Sequence, residues 1–345
     1  MTDTIVIILR RIDTNVNWDI EQIANRLDAD SVGITTKGNI ISVNGKLKNM
    51  KVYITEDHLR ISGSLAKYYF DNNLQTMDYD DIVTAIVWLG DELGLPIERG
   101  FIKRIDIARN IIVKMNPRQY LDCFDETDGY HKDRINDRLL YKKTNGTHSL
   151  TMYDKVKELK KNEREFYQYH RDGVLKDKNI LRFEVKLEQK INQLLKYKSV
   201  RVVHLRSKTF LNKLNDFWYM KYKSISTKKT FGFSNDITNY GDFKKELLIK
   251  AIQDMGVTAL FKLLDNLRKT GKMTSNQKAY AKQNIKKLIA GTSSLIELDL
   301  AVELMSGIEF LHANVEKDEF THLKNLIVKR EVDKKPMAQI QRKYF

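Results

Sequence analysis

Phe101-Ile-Lys-Arg-Ile-Asp-Ile-Ala-Arg-Asn-Ile-Ile-Val113 is the stretch on which the fold of this chain turns. Its residue types alternate, and residues two apart on a strand share a face. Ile105, Ile107, Ile111 and Val113 point one way, with Arg109 the one polar exception, while Arg104, Asp106, Ala108 and Asn110 point the other. Two further runs repeat the pattern. Leu139 to Lys155 reads as a hairpin around Asn145-Gly146 whose second arm sends Leu150 and Met152 inward and Ser149, Thr151, Tyr153 and Lys155 outward. Ile180 to Glu188 sets Leu181, Phe183, Val185 and Leu187 against Arg182, Glu184 and Lys186. Together they predict an antiparallel sheet with one apolar face.

Upstream, Ile5 to Leu9 reads as a first strand and Trp18 to Leu27 as a helix. Ile40 to Ser64 reads as short antiparallel hairpins with a turn at Asn44-Gly45. Asp80 to Leu95 is an amphipathic helix stopped at Gly94-Leu95-Pro96. After about residue 200 the alternation gives way to helical spacing over 207–223, 243–255, 258–267, 275–288, 295–305 and 317–328. The expected class is therefore α+β, an N-terminal antiparallel sheet with flanking helices followed by an all-helical C-terminal domain. The expected boundary falls in Lys196 to Ser207, which divides the chain into 1–198 and 199–345.

Composition narrows the function. Lys+Arg minus Asp+Glu is 60 − 45 = +15 over 345 residues, a basic excess that attracts a polyanion. The single cysteine, Cys123, excludes an intramolecular disulfide and any multi-cysteine zinc site. No run of about 18 apolar residues occurs, so no membrane span is expected. Asp3 sits where a signal peptide would need basic residues. The expectation is a cytoplasmic protein drawn to nucleic acid.

The polar strand faces admit two readings. In the plainer one they are the wet side of a half-solvated sheet. In the sharper one they meet in a single site. Asp106 and Glu184, on neighbouring strands, then hold a hard divalent cation through oxygen ligands. Tyr153 and Lys155 then attack a phosphodiester. A phenol is a weak nucleophile at neutral pH and needs a base or a cation beside it, and a metal would neutralise the phosphate it attacks.

These residues carry a resemblance. Arg104-Ile-Asp-Ile-Ala108 resembles the Arg-x-Asp-x-Ala strand of rolling-circle replication initiators: plasmid Rep proteins of the Rep_trans type, relaxases built on the same domain, and filamentous-phage gene II proteins. Met152-Tyr-Asp-Lys-Val-Lys-Glu158 is similar to their Tyr-x-Lys-x-x-Glu segment, and Leu181-Arg-Phe-Glu-Val-Lys-Leu187 to their Arg-x-Glu strand. Ile61 to Leu74 is similar to the phage-type Gly-Ser-x-x-Lys…Asn-x loop. The resemblance spans residues 60 to 190. It implies an HUH-endonuclease-like fold and metal-dependent nicking of single-stranded DNA through a 5′-phosphotyrosine, with a free 3′-hydroxyl left to prime synthesis. Tyr153 would be the nucleophile, with Lys155 beside the phosphate or the phenolate. Asp106, Glu184 and Glu158 would hold Mg²⁺ or Mn²⁺. Three departures stand out: Asn110 replaces a second acid, Lys186 replaces the last acid of a Glu-x-Glu pair, and a His-hydrophobic-His pair is absent.

Arg104 and Arg182 are placed either to anchor those acids or to touch DNA, and Ser64 and Lys67 to bind backbone phosphate. Asn72 and Asn73 are expected in a turn. Glu158 can equally pair with a neighbouring lysine, and His148 reads as a satisfied turn histidine. Tyr141, Tyr167 and Tyr169 are weaker nucleophile candidates. In the helical half, Lys221 to Lys229 and Asn266 to Lys272 can track a DNA backbone, with Trp218, Tyr219 and Tyr222 available for stacking. The expected partners are DNA at an origin hairpin or single strand, a host helicase and a second copy of the chain. A relaxase would use the same chemistry. A non-catalytic origin-binding protein or an RNA-binding protein would use the same charge.

Overall fold

The computed structural model describes residues 2–14, 18–37, 40–231, 238–290, 295–297 and 299–314. The chain runs β1 (Thr2–Arg10), α1 (Arg11–Thr14), α2 (Ile20–Ala24), β2 (Gly33–Lys37), β3 (Ile40–Leu47), β4 (Met50–Ile54), β5 (His58–Ser64), α3 (Leu65–Phe70) and α4 (Tyr79–Leu93). It continues through β6 (Phe101–Val113), α5 (Pro117–Leu121), β7 (Tyr130–Ile135), β8 (Arg138–Lys143), β9 (His148–Asp154), α6 (Lys155–Asn162), α7 (Arg164–His170) and β10 (Asn179–Leu187). Then come α8 (Ile191–Leu194), α9 (Lys208–Lys223), β11 (Lys229–Phe231), α10 (Tyr240–Met255), α11 (Val257–Lys269), α12 (Ser275–Ala290), β12 (Leu295–Glu297) and α13 (Asp299–Ala313).

Ten strands form one antiparallel sheet in the order β2-β3-β4-β5-β1-β6-β10-β9-β8-β7. The long strand β6 sits at its middle, between the N-terminal strand and β10. Register across β6 and β10 sets Asp106 opposite Lys186, Ala108 opposite Glu184 and Asn110 opposite Arg182. Register across β10 and β9 sets Arg182 opposite Tyr153. The alternation read from the sequence thus translates into one continuous polar face. The expected α+β class holds, with β11 and β12 as a two-stranded exception within the helical part.

The apolar face carries the core. Ile105, Ile107, Leu150, Met152, Phe183 and Val185 are buried there, and α9 and α13 lie across β6 and β10 on that side. Trp218 of α9 donates its indole N–H to the Phe183 carbonyl at 3.2 Å. Arg109, the polar exception, is buried with its guanidinium 5.9 Å from the Trp218 ring centroid, so the aromatic face accommodates its charge. Gly307 brings α13 close to the sheet, since a β-carbon there would stand 3.1 Å from Ile111 Cγ2. Helices from beyond residue 199 therefore close the same core as the sheet.

Three local readings change. Asn44-Gly45 is not a turn but the interior of β3, and the reversal comes at Lys48-Asn49, where Lys48 takes φ 55°. Gly45 instead packs against Leu27, whose Cδ1 would stand 2.6 Å from a β-carbon there and would have to move aside. Trp218 and Tyr222 are core residues, and Tyr219 stacks on His312 with ring centroids 4.1 Å apart, so these rings serve packing. Residues 295–297, expected to open a helix, pair as β12 with β11. The helix expected over 317–328 lies outside the described residues. Among the described residues, no helix is long and apolar enough to cross a membrane.

Candidate active site

The polar face of β6, β10 and β9 is where the site forms, and a strand-to-helix switch shapes it. β9 ends at Asp154, whose carboxylate accepts from the Lys157 N–H at 3.0 Å and caps α6. The cap takes Lys155 out of the strand alternation. Its side chain does not stand outward beside Tyr153 but lies at 0% exposure. The ammonium donates to Glu158 Oε2 at 2.5 Å and to Asn73 Oδ1 at 2.6 Å, with Glu163 at 3.8 Å. Burial and the nearby Arg182 charge lower its pKa, and Glu158 and Glu163 oppose them.

Asn73 is the hub of this region. Asp71 takes a left-handed conformation after α3, and Asn72 closes a turn by accepting from the Leu74 N–H at 3.0 Å. The turn lays Asn73 over the sheet. Its carbonyl accepts from Arg182 Nη1 at 2.8 Å and Asn110 Nδ2 at 3.2 Å, and its own amide reaches Asp3 Oδ2 at 3.4 Å. Arg182, 2% exposed, also donates to Asn110 Oδ1, to Asp3 Oδ2 at 2.6 Å and to Glu184 Oε1 at 2.7 Å. Burial raises the proton affinity of Asp3, but Arg182, the Ser64 hydroxyl and Lys155 outweigh it and hold the carboxyl below its ordinary range.

Tyr153 borders the network at 6% exposure. Its hydroxyl donates to Glu184 Oε1 at 2.7 Å, and the Arg138 guanidinium lies 4.7 Å from its ring centroid. Burial pushes the phenol well above its ordinary pKa; Arg182 opposes this and Glu184 adds to it. The hydroxyl is thus a neutral group already bonded to a carboxylate that can take its proton. Diagonal to Glu184 across β6 and β10 lies Asp106, whose two oxygens accept from Arg104 Nε, at 2.8 Å, and Nη2. Burial raises Asp106 to about 6, Arg104 opposes, and the charges of Glu184 and Asp3 raise it further.

Asp106 and Glu184 are oxygen donors of the kind a hard divalent cation takes, and the repulsion between them is what such a cation would relieve. Glu158 stands apart. It accepts from Lys155 and, at 3.1 Å, from Asn162 Nδ2. Burial raises its pKa, but Lys155 and Asn162 bring it below the ordinary carboxylate value. Among the described residues, no group of three His, Cys, Asp or Glu side chains is placed to hold a metal. Two protein carboxylates still suit Mg²⁺, which ordinarily takes one or two of them and completes its shell with water and substrate phosphate.

The remaining expected residues take supporting places. Arg104 and Arg182 anchor acids, and Ser64 caps α3 by accepting from the Lys67 N–H at 3.1 Å while donating to Asp3. Lys67 pairs with Glu163 at 2.9 Å. His148, held by Tyr130 Oη at 2.8 Å and Thr147 Oγ1 at 3.0 Å, is lowered to about 4 by burial and stays neutral. Tyr141 is buried on the apolar side and donates to the Asp125 carbonyl, and Tyr169 is exposed on α7. Asp3, Asn73 as a hub, and Arg138 escaped the sequence motifs. The hairpin around Asn145-Gly146 was the available signal for Arg138, since it sets β8 beside β9. For Asp3 only the alternation of β1 was available, and which strand lies beside β6 is a matter of topology.

Comparison with known families decides the identity. A family model described as the N-terminal part of a phage replication-associated protein, the product of gene II, matches residues 30–208, just over half of the chain. This chain belongs to that gene II family of rolling-circle replication initiators. All four motif segments of this initiator fall inside the matched segment, and Asp3 with the first strand lies before it. Among solved structures, a rolling circle replication initiator protein from Geobacillus stearothermophilus is similar at 8% identity, covering 71% of this chain and 90% of that one with a TM-score of 0.35. No curated protein matches the chain.

Proposed function

We propose that this initiator nicks one DNA strand by attack of Tyr153 on a phosphodiester, and that the hydrogen bond from Tyr153 to Glu184, set beside Asp106, is the observation that carries the reading. Glu184 accepts the phenolic proton as Tyr153 Oη bonds to phosphorus. The bond from phosphorus to the 3′-oxygen breaks, and the proton passes to that oxygen. The products are a 5′-phosphotyrosine and a free 3′-hydroxyl. The reverse path rejoins the strand, because the same groups serve both directions.

Asp106 and Glu184 would hold Mg²⁺ or Mn²⁺, which when bound neutralises and polarises the phosphate. Arg104 keeps Asp106 oriented toward the site, and Arg182 does the same for Glu184. Lys155 and Glu158 hold the Asn73 turn that closes one end of the site. The net charge of +15 on the whole chain favours its association with DNA. A nick alone does not separate a duplex, so a host helicase follows in this scheme.

The test uses supercoiled plasmid carrying the native gene and its flanking DNA, with purified protein and Mn²⁺. Relaxed plasmid and protein attached to a 5′ end, both absent with Tyr153→Phe and with chelator, are the expected result. Binding of the same DNA with no adduct would replace nicking with origin binding alone. An adduct that survives Tyr153→Phe would move the nucleophile to another tyrosine.

A further inference from the structure

A phosphodiester brought to Tyr153 needs a cation within reach, and most cations on this face are already committed. Lys155 is enclosed by Glu158, Glu163 and Asn73. Arg182 is buried among Asp3, Glu184, Asn73 and Asn110. Arg104 is paired with Asp106, Lys186 with Glu188 at 2.7 Å, and Lys157 with Asp137 at 3.2 Å. Lys142 is exposed on β8 but faces Ser149, four residues along that strand from the partner of Tyr153 and so about 13 Å away.

Arg138 differs from all of these. It stands directly opposite Tyr153 in the β8–β9 register, it is exposed, and its guanidinium rests against the phenol ring at 4.7 Å from the centroid. No carboxylate among the described residues pairs with it. Its backbone is held in place by the β7–β8 turn, where Asn136 takes φ 55° and Asp137 is tied to Lys157 of α6. A planar guanidinium stacked on one side of the nucleophile keeps its N–H edge available, and that edge matches two phosphate oxygens at once.

We infer that Arg138 binds the non-bridging oxygens of the scissile phosphate during attack by Tyr153, the task that the motif Tyr153-Asp-Lys155 would assign to Lys155. The inference rests on the nicking reading proposed above. As the Tyr153 Oη–phosphorus bond forms and the bond to the 3′-oxygen breaks, charge gathers on those oxygens, and Arg138 neutralises it. In the resting protein the same cation covers the ring of a neutral phenol.

The experiment measures the initial rate of covalent adduct on the supercoiled plasmid with Mn²⁺ for wild type, Arg138→Ala and Arg138→Lys. Binding of the same DNA is measured in chelator at fixed salt. Arg138→Ala is expected to slow adduct formation by about 10²- to 10³-fold, the usual loss for one transition-state donor, with DNA affinity changed by less than about threefold. Arg138→Lys is expected to recover at least about tenfold of that loss, and added guanidinium ion to accelerate Arg138→Ala but not wild type. An Arg138→Ala rate within about tenfold of wild type overturns the inference. So does a loss of rate matched by an equal loss of affinity, or a loss that neither lysine nor guanidinium restores, since each leaves Arg138 a binding or packing role only. If wild type itself forms no Tyr153-dependent adduct, the nicking reading fails and this inference falls with it.

Discussion

The two ends of the polar face are built from the same residue types and behave in opposite ways. At the closed end, Arg182, Asp3, Asn73, Asn110, Lys155 and Glu158 bond to one another until nearly every polar atom is used. At the open end, Tyr153, Glu184, Asp106 and Arg138 keep unspent capacity: a proton shared with a base, carboxylates repelling each other, an exposed guanidinium. Buried charges are tolerable only when fully bonded, whereas a reacting centre must retain groups that substrate can satisfy. The closed end is therefore the scaffold of the open one. Glu184 belongs to both, accepting from Arg182 and from Tyr153 through the same oxygen.

This contrast predicts that substitutions at the closed end act on stability and those at the open end on rate. The largest stability effect is expected for Arg182→Met. It leaves Asp3 and Glu184 without their cation, and breaking a buried pair costs about 3–5 kcal/mol. Chemical denaturation should show it, and a loss below about 1 kcal/mol would mean that Arg182 is not the keystone of the scaffold. Lys155→Ala should come next, at roughly 3 kcal/mol, because Glu158 and the Asn73 amide lose a buried partner. If Lys155→Ala instead keeps its melting temperature and loses only rate, the lysine belongs to the open end and the comparison breaks.

The smallest and sharpest test is Asp106→Asn. The folded carboxyl is raised to about 6 from the ordinary 3.8, so its contribution to stability is full below pH 3.8 and lost as pH rises through 6. Ionising it in the folded protein costs on the order of 3 kcal/mol above that pH, with the Arg104 pairing already counted and solvent screening reducing it. Relative to wild type, Asp106→Asn should gain melting temperature between pH 4 and pH 7.5 while its adduct formation disappears. Without metal the carboxyl takes a proton below about 6, so proton and cation compete for it and the Mn²⁺ concentration needed for nicking should rise as pH drops below that value. A variant that loses stability as pH rises over that range would show that Asp106 is scaffold and not a spare ligand.

Much of this was legible in the chain. The alternation of 104–113 is borne out, while at the start of β6 (Phe101–Val113) a register shift against β1 turns Ile102 into the core, and the polar sets of β6, β9 and β10 do share one face. Period-two alternation with one buried face leaves a strand no other way to lie, since a one-residue slip would bury every charge. The four motif segments likewise pointed to the initiator family that comparison establishes. Lys155 was misread for an equally physical reason. Parity extends only as far as the strand, and a single capping aspartate, Asp154, turned the next residue into a helix start.

What the sequence by itself determined is the set of faces: which side chains of each strand look toward the core and which look away, because that follows from local geometry alone. Which strands are neighbours, beyond those joined by a short hairpin turn, followed from packing of the whole sheet. The Asn145-Gly146 hairpin already set β8 beside β9, and the register of that pair brings Arg138 to Tyr153. Only the tertiary structure set the N-terminal strand beside β6, bringing Asp3 to Arg182. Those contacts join residues 179 and 15 positions apart. The nearer contact follows from a local turn, whereas no local signal encodes the distant one; it is selected by burying the apolar face of the entire sheet at once.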